Sequence, residues 1–160
     1  MIYLRLDERL MHGQVTTTWV GVLGITHIVL ADDEVAKDEV HCQLLKMSAP
    51  QGIRLMIVPV ERAVRILNDP RCEKMKLLAI CSNLDDALKL IEAVPVIRDV
   101  NLANYGFQAN AEGTGKQMLS SNLQVDAREL EIVKTIMDKK ELHVYCQVLA
   151  NQPPKPINLK

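Results

Sequence analysis

Short β-branched and aliphatic runs alternate along this chain with stretches whose apolar residues recur every three or four positions. Ile2–Leu6 and Thr26–Ala31 read as strands, with a helix between them from about Gln14 to Leu23. The pattern from Asp33 to Met47 predicts one long amphipathic helix with Val35, Val40, Leu44 and Met47 on its apolar side, ended by Pro50 and Gly52. Ile53–Val58 is strand-like, Val60–Leu67 helical, Lys76–Cys81 strand-like and Leu84–Ala93 helical; Pro95 breaks the chain before a strand over Val96–Leu102. An irregular loop follows through Gly106, Gly113 and Gly115. Asn122–Val125 is then a short strand, Asp126 caps a helix reaching about Lys139, and Leu142–Val148 is the last strand.

Strands separated by helices of about ten residues imply right-handed crossovers, so the expected class is α/β: an open, mainly parallel twisted sheet with helices on both faces. An antiparallel edge strand is compatible with the pattern. At 160 residues and 48% apolar content, one domain spanning 1–160 is expected. The Pro-rich end, Gln152 to Pro156, should lie extended on the surface.

Charge narrows the function. Nineteen basic residues face 20 acidic ones, and the net charge of −1 gives no general attraction to nucleic acid or anionic lipid. The apolar runs fall well short of the ~20 residues that cross a bilayer, and the N-terminus lacks an export pattern. Cys42, Cys72, Cys81 and Cys146 are scattered without zinc-site spacing and read as reduced thiols. With one Trp, three Tyr and one Phe, there is no stacking platform for single-stranded nucleic acid. Neither a Gly-x-Gly-x-x-Gly nor a Gly-Lys-Ser/Thr phosphate loop occurs, which argues against a nucleotide-binding protein. No metal or cofactor is expected, because the clusters Asp32-Asp33-Glu34 and Asp85-Asp86 suit acidic first helical turns.

In such sheets ligands bind where strands end and helices begin, here after residues 6, 31, 58, 81 and 102. The first of these loops puts His12 directly before Gly13 at a helix start, with Arg5 and Arg9 close in sequence. The helix end and two guanidinium groups suit a dianionic phosphoryl group. A histidine is a nucleophile when one ring nitrogen is unprotonated and the other is held by an acceptor. Asp7 reads equally as that acceptor and as a turn former. If it contributes, it should face the distal ring nitrogen or an arginine, since a carboxylate beside the phosphorylated nitrogen would repel the incoming group. Gln14 and Thr16 are candidates for phosphoryl contacts or for capping, and so is Ser82 after another strand. Taken alone, a histidine at this point is more often a hydrogen-bonded structural residue than a nucleophile. His27, His41 and His143 do not stand at a strand-to-helix opening.

The run Arg5-Leu-Asp-Glu-Arg-Leu-Met-His12-Gly-Gln-Val resembles the Arg-x-Asp-Asp/Glu-Arg-Leu-Ile-His-Gly-Gln-Val signature of the mannose-fructose-sorbose IIB components of sugar phosphotransferase systems. Asp32 to Val40, Ser48 to Gly52, Asn101, Gly115-Lys116-Gln117 and Val125-Asp126 resemble later family landmarks, so the likeness spans nearly the whole chain. It implies a cytoplasmic phosphocarrier that takes a phosphoryl group from a IIA partner on His12. His12 then gives it to a sugar held by the membrane components IIC and IID, through which the protein meets the membrane without inserting. Arg9, in the loop, and Arg5 are the implied clamps, Arg5 reading equally as a strand-end ion-pair partner, with Asp7, Gly13, Gln14, Thr16 and Ser82 around them. Self-association is left open. Ala103 departs from the family, where a glycine is usual in the loop after the fifth strand. That puts the loop's path in question and leaves an adaptor that docks partners without completing the relay as the competing reading.

Overall fold

The first apolar run forms strand β1 (Ile2–Asp7) in a computed structural model that describes residues 1–108 and 115–160. β2 (His27–Ala31), β3 (Arg54–Val58), β4 (Leu77–Cys81) and β5 (Asp99–Asn104) follow. Beyond them lie β6 (Gln117–Ser120), β7 (Leu123–Val125) and β8 (His143–Tyr145). Six strands form one sheet in the order β3-β2-β4-β1-β5-β8, and every pairing in it is parallel. The α/β class expected from the alternation is therefore the observed one. Among the described residues, antiparallel strands occur in a separate two-stranded ribbon of β6 and β7, with one isolated antiparallel bridge between Cys146 and Lys155, whereas the edge strand β8 runs parallel to β5. β6 was not foreseen, because its residues fall in what the sequence presents as irregular loop; Gly113 of that loop lies outside the described residues.

Side chains alternate across β1, and each set meets its own layer. Leu4 and Leu6 join Ala79, Cys81, Val100 and Leu102 in a core covered by α4 (Val60–Leu67), α5 (Leu84–Ala93) and α6 (Ala127–Met137), which are numbered here after α1 (Gly13–Leu23), α2 (Asp33–Lys37) and α3 (Glu39–Ser48). On the other face Ile28, Leu30, Leu78 and Ile80 pack with Leu10, Met11 and Leu45 beneath α1 and α3. Tyr3, Arg5 and Asp7 project to this second side. β1 thus lays a hydrophobic face toward one core and a partly charged one toward the other.

The single helix expected over 33–47 is two helices. Asp38 leaves helical geometry (φ −100°, ψ 97°), and its carboxylate accepts the His41 backbone N–H, which starts α3 afresh. The restart changes the phase: Leu45 is buried, while Val40, Leu44 and Met47 face outward. Asp126 caps α6 as expected, in a reciprocal capping box with Glu129. β5 begins three residues later than predicted and continues to Asn104, and the last strand is shorter than the apolar run from Leu142 to Val148. All four cysteines are free thiols. Among the described residues no helix is long and apolar enough to cross a membrane, and no His, Cys, Asp and Glu group is arranged to hold a metal ion.

Candidate functional site

The crossover after β1 passes over β4 to reach β2, while the one after β4 passes over β1 to reach β5. Loops leaving these two neighbouring strands diverge to opposite faces and open a crevice at their carboxyl ends, the place where open α/β sheets bind ligands. The loop from β1 to α1 stands in that crevice. Its path depends on Leu10, a residue with positive φ (63°) whose side chain is nonetheless buried. Left-handed backbone is unfavourable for a leucine, so packing holds the loop in this conformation.

Asp7 is the hub of the loop. Fully buried, it uses both carboxylate oxygens. Oδ2 accepts from Arg5 Nη2 at 3.0 Å and lies 3.2 Å from His12 Nε2. Oδ1 accepts the backbone N–H of Arg9 at 3.0 Å, Arg9 Nε at 3.4 Å and Asn104 Nδ2 at 3.4 Å. A carboxylate can only accept, so the bond to His12 places the ring proton on Nε2 and leaves the lone pair of the neutral imidazole on Nδ1. Asp7 thus faces one ring nitrogen and both arginines.

The two arginines differ sharply. Arg5 is 4% exposed; its guanidinium also donates to the backbone carbonyls of Gln147 and Val148, both at 3.3 Å, and lies over the Trp19 ring at 5.6 Å. Burial lowers the Arg5 pKa from its ordinary value, and the neighbouring Asp7 carboxylate opposes that shift. Arg9 keeps 43% of its side chain exposed beside the 30%-exposed imidazole of His12. It alone of the pair presents free guanidinium surface to an incoming group.

His12 is the N-cap of α1, in extended geometry, and its side chain makes no capping hydrogen bond; Thr16 Oγ1 instead accepts the His12 backbone N–H at 3.2 Å. Gly13 has φ +44°, and a Cβ there would meet nothing within 4 Å, leaving its approach open. Gln14 is exposed in the first turn. Ser82 is not brought into this network: its hydroxyl donates to Asp32 Oδ2 at 2.7 Å, across a neighbouring cleft of about 560 Å³ lined by Glu8, Leu10, Asp86 and Tyr105. His27 and His143 open their strands at the far end of the sheet, where they meet Thr26 and Asp99. His41 lines the same cleft as Ser82.

The model of the sorbose-subfamily IIB components of the phosphotransferase system matches residues 1–158 of this chain. The chain belongs to that family. Among sequences, it is 34% identical to a probable phosphotransferase enzyme IIB component of Streptococcus pyogenes, over 91% of this chain and 90% of the relative. It is 31% identical to the mannose-specific EIIAB component of Escherichia coli over 82% of its own length, which is 39% of that longer protein. The IIB domain of the sorbose permease of Klebsiella pneumoniae superposes with a TM-score of 0.83 at 28% identity, covering 96% of this chain and 91% of the other. The N-acetylgalactosamine-specific IIB component 1 of Escherichia coli gives 0.83 and 28%, with 98% and 99% covered.

Within this IIB component the doubtful loop after β5 has a defined path. Ala103 is buried in extended strand, where no positive φ is required. The register between β1 and β5 shifts at this point, so that Leu6 pairs with Leu102 and Asp7 with Asn104. Ala103 is therefore the extra residue of a bulge that turns Asn104 toward the Asp7 carboxylate. Tyr105 follows the bulge and joins the sheet to the ribbon and to α6. Its backbone bridges to β7 and its hydroxyl donates to Glu129 at 3.1 Å. Glu8 was unmarked in the sequence apart from its place in the motif. Its carboxylate accepts the N–H groups of Gly106 (3.2 Å) and Phe107 (2.9 Å), tying the His12 loop to the turn after β5. Gly106 is required there, since a Cβ would stand 1.9 Å from the Gln124 carbonyl oxygen.

Proposed function

We propose that this IIB component accepts a phosphoryl group from a IIA partner on Nδ1 of His12 and passes it to a sugar presented by the membrane components IIC and IID. The observation that carries this reading is the 3.2 Å contact between His12 Nε2 and the buried Asp7 carboxylate, which leaves the other ring nitrogen as the nucleophile. In the first step the Nδ1 lone pair forms the bond to phosphorus as the bond to the donor's histidine nitrogen breaks. In the second, a sugar hydroxyl oxygen takes the phosphorus, the bond to His12 breaks, and the hydroxyl proton is released on the acceptor's side.

Phosphoryl transfer of this kind depends on in-line positioning and on stabilising charge at the equatorial oxygens. Arg9 is suited to the second task, with the start of α1 and Gly13 supplying N–H groups beside it. Gln14 reaches the same side from the first helical turn. Arg5 is buried and donates to Asp7 and two carbonyls, so its part is to hold the carboxylate that holds the imidazole. Thr16 likewise supports the His12 backbone. Ser82, bonded to Asp32, takes no part in this mechanism. The protein acts on the cytoplasmic side as a single 1–160 domain and meets the membrane only through its partners.

The test is labelling with phosphoenolpyruvate, the general relay proteins and IIA. Wild type and His27→Ala should acquire an acid-labile, alkali-stable phosphate, and His12→Ala none. Label on the His12→Ala protein would overturn the assignment. The adaptor reading drew on Ala103, and the ordinary extended geometry there gives it no support; it predicts uptake of label without discharge to any sugar.

A further inference from the structure

The restart of the second helical segment leaves an apolar stripe on the outside of the protein. Val40, Leu44 and Met47 are 71%, 58% and 82% exposed at positions i, i+4 and i+7 of α3, and among the described residues nothing covers them. The stripe is not remote from the chemistry. His41, in the first turn of the same helix, lines the cleft shared with Glu8 and Leu10 of the His12 loop, so the stripe runs outward from the carboxyl edge of the sheet. At that end it is rimmed by acid: Asp33, Glu34, Asp38 and Glu39 are all exposed, against Lys37 alone in the same stretch.

We infer that this acid-rimmed stripe is a docking ledge for the membrane-embedded acceptor, engaging a cytosolic segment that is both basic and apolar; the inference rests on the phosphocarrier reading above. Three considerations select this occupant. Cytosolic segments of membrane proteins carry an excess of Lys and Arg, the sign that complements the rim. The donor IIA brings a dianionic phosphohistidine, which the same carboxylates repel. A stable homodimer needs about 800 Å² buried on each partner, far more than three side chains expose, whereas a carrier that must leave after each turnover needs a small contact.

The two half-reactions separate the partners. Full-length wild type, Leu44→Ser/Met47→Ser and Glu34→Gln/Glu39→Gln proteins are loaded by phosphoenolpyruvate, the general relay proteins and IIA. Each is then discharged into inverted vesicles carrying its own IIC and IID, with sorbose, fructose, mannose and N-acetylgalactosamine supplied as acceptors. Loading should proceed equally in all three, which also shows that the variants are folded. Discharge by the Leu44→Ser/Met47→Ser protein should need about tenfold more vesicle for half-maximal rate, with the maximal rate unchanged. The Glu34→Gln/Glu39→Gln protein should lose much of the salt sensitivity of discharge.

Equal discharge by all three would overturn the ledge while leaving the relay intact. A loading defect confined to the variants would assign the face to IIA, and a wild-type dimer lost in the Leu44→Ser/Met47→Ser protein would assign it to a second copy. Wild type that takes label but discharges into no vesicle would overturn the relay reading itself and the ledge with it.

Discussion

Two strands of the sheet end in the same way and do different things. β1 closes with Asp7 and the residue after β2 is Asp32; both carboxylates are buried at the carboxyl edge, 0% and 8% exposed. Asp32 serves local backbone and one hydroxyl. Oδ1 accepts the N–H groups of Glu34 and Val35 at 3.0 and 2.9 Å, and Oδ2 takes the Ser82 hydroxyl. Asp7 instead gathers charged side chains from its own strand and loop, together with Asn104 from β5. Position at a strand end therefore does not make a carboxylate functional. The partners set the two apart: one carboxylate is shared between two guanidinium groups and an imidazole, the other between backbone amides and a hydroxyl at a helix start.

The strongest way to break this contrast is to remove each acid in turn. Asp7→Ala strands the buried Arg5 guanidinium beside an empty site, and losing one partner of a buried ion pair costs roughly 3–5 kcal/mol. Urea unfolding should register that loss. Asp7→Asn keeps the shape and one acceptor oxygen but not the charge, so it should stay better folded while His12 labelling falls by roughly 10²-fold through misplacement of the ring. Labelling of Asp7→Asn at the wild-type rate would reduce Asp7 to the same structural standing as Asp32.

Asp32→Ala should have the smaller effect and a different signature. It removes an N-cap, worth about 1–2 kcal/mol, and leaves α2 and Ser82 without their acceptor. Urea unfolding should shift accordingly, with the rate of His12 labelling unchanged. If labelling falls as far as in Asp7→Asn, the two strand ends form one functional unit and the contrast fails.

The sequence held enough to place this edge and not enough to wire it. Alternating apolar runs and helical periodicity, fixed by burial on two faces of a sheet, located every strand of the large sheet and the loop before Gly13. The His12 motif then carried a family resemblance. What escaped was long-range: Asn104 meets Asp7 through a bulge at Ala103, and Glu8 binds amides 98 and 99 residues away. No local pattern encodes such pairings. The division at Asp38 escaped for the opposite reason. Its signal is local, an acid three residues before a free N–H, but it is masked by apolar spacing that runs through it. Val35, before Asp38, is buried, but past Asp38 that spacing marks an exposed stripe and not a core face, since periodicity reports that a helix is two-sided without saying which side is covered.

A third carboxylate at the same edge sharpens the comparison by the sign of its pH dependence. Asp86, in the first turn of α5, has its pKa raised from 3.8, chiefly by burial and further by the charges of Asp33, Asp32 and Asp85, against the lowering effect of its bond from Asn83. A carboxyl group with a higher pKa folded than unfolded binds more protons in the folded state between the two values, so its contribution to stability falls as pH rises through that window. Asp86 is thus an acid whose charge the fold opposes. Asp86→Asn should remove the penalty: the stability of the variant relative to wild type, from urea unfolding at successive pH values, should improve as pH rises from about 4 toward neutrality. A relative stability that stays flat, or moves the other way, would mean that Asn83 and the helix start compensate the charge fully. Asp86 would then join Asp32 as a carboxylate that the fold accommodates through uncharged partners.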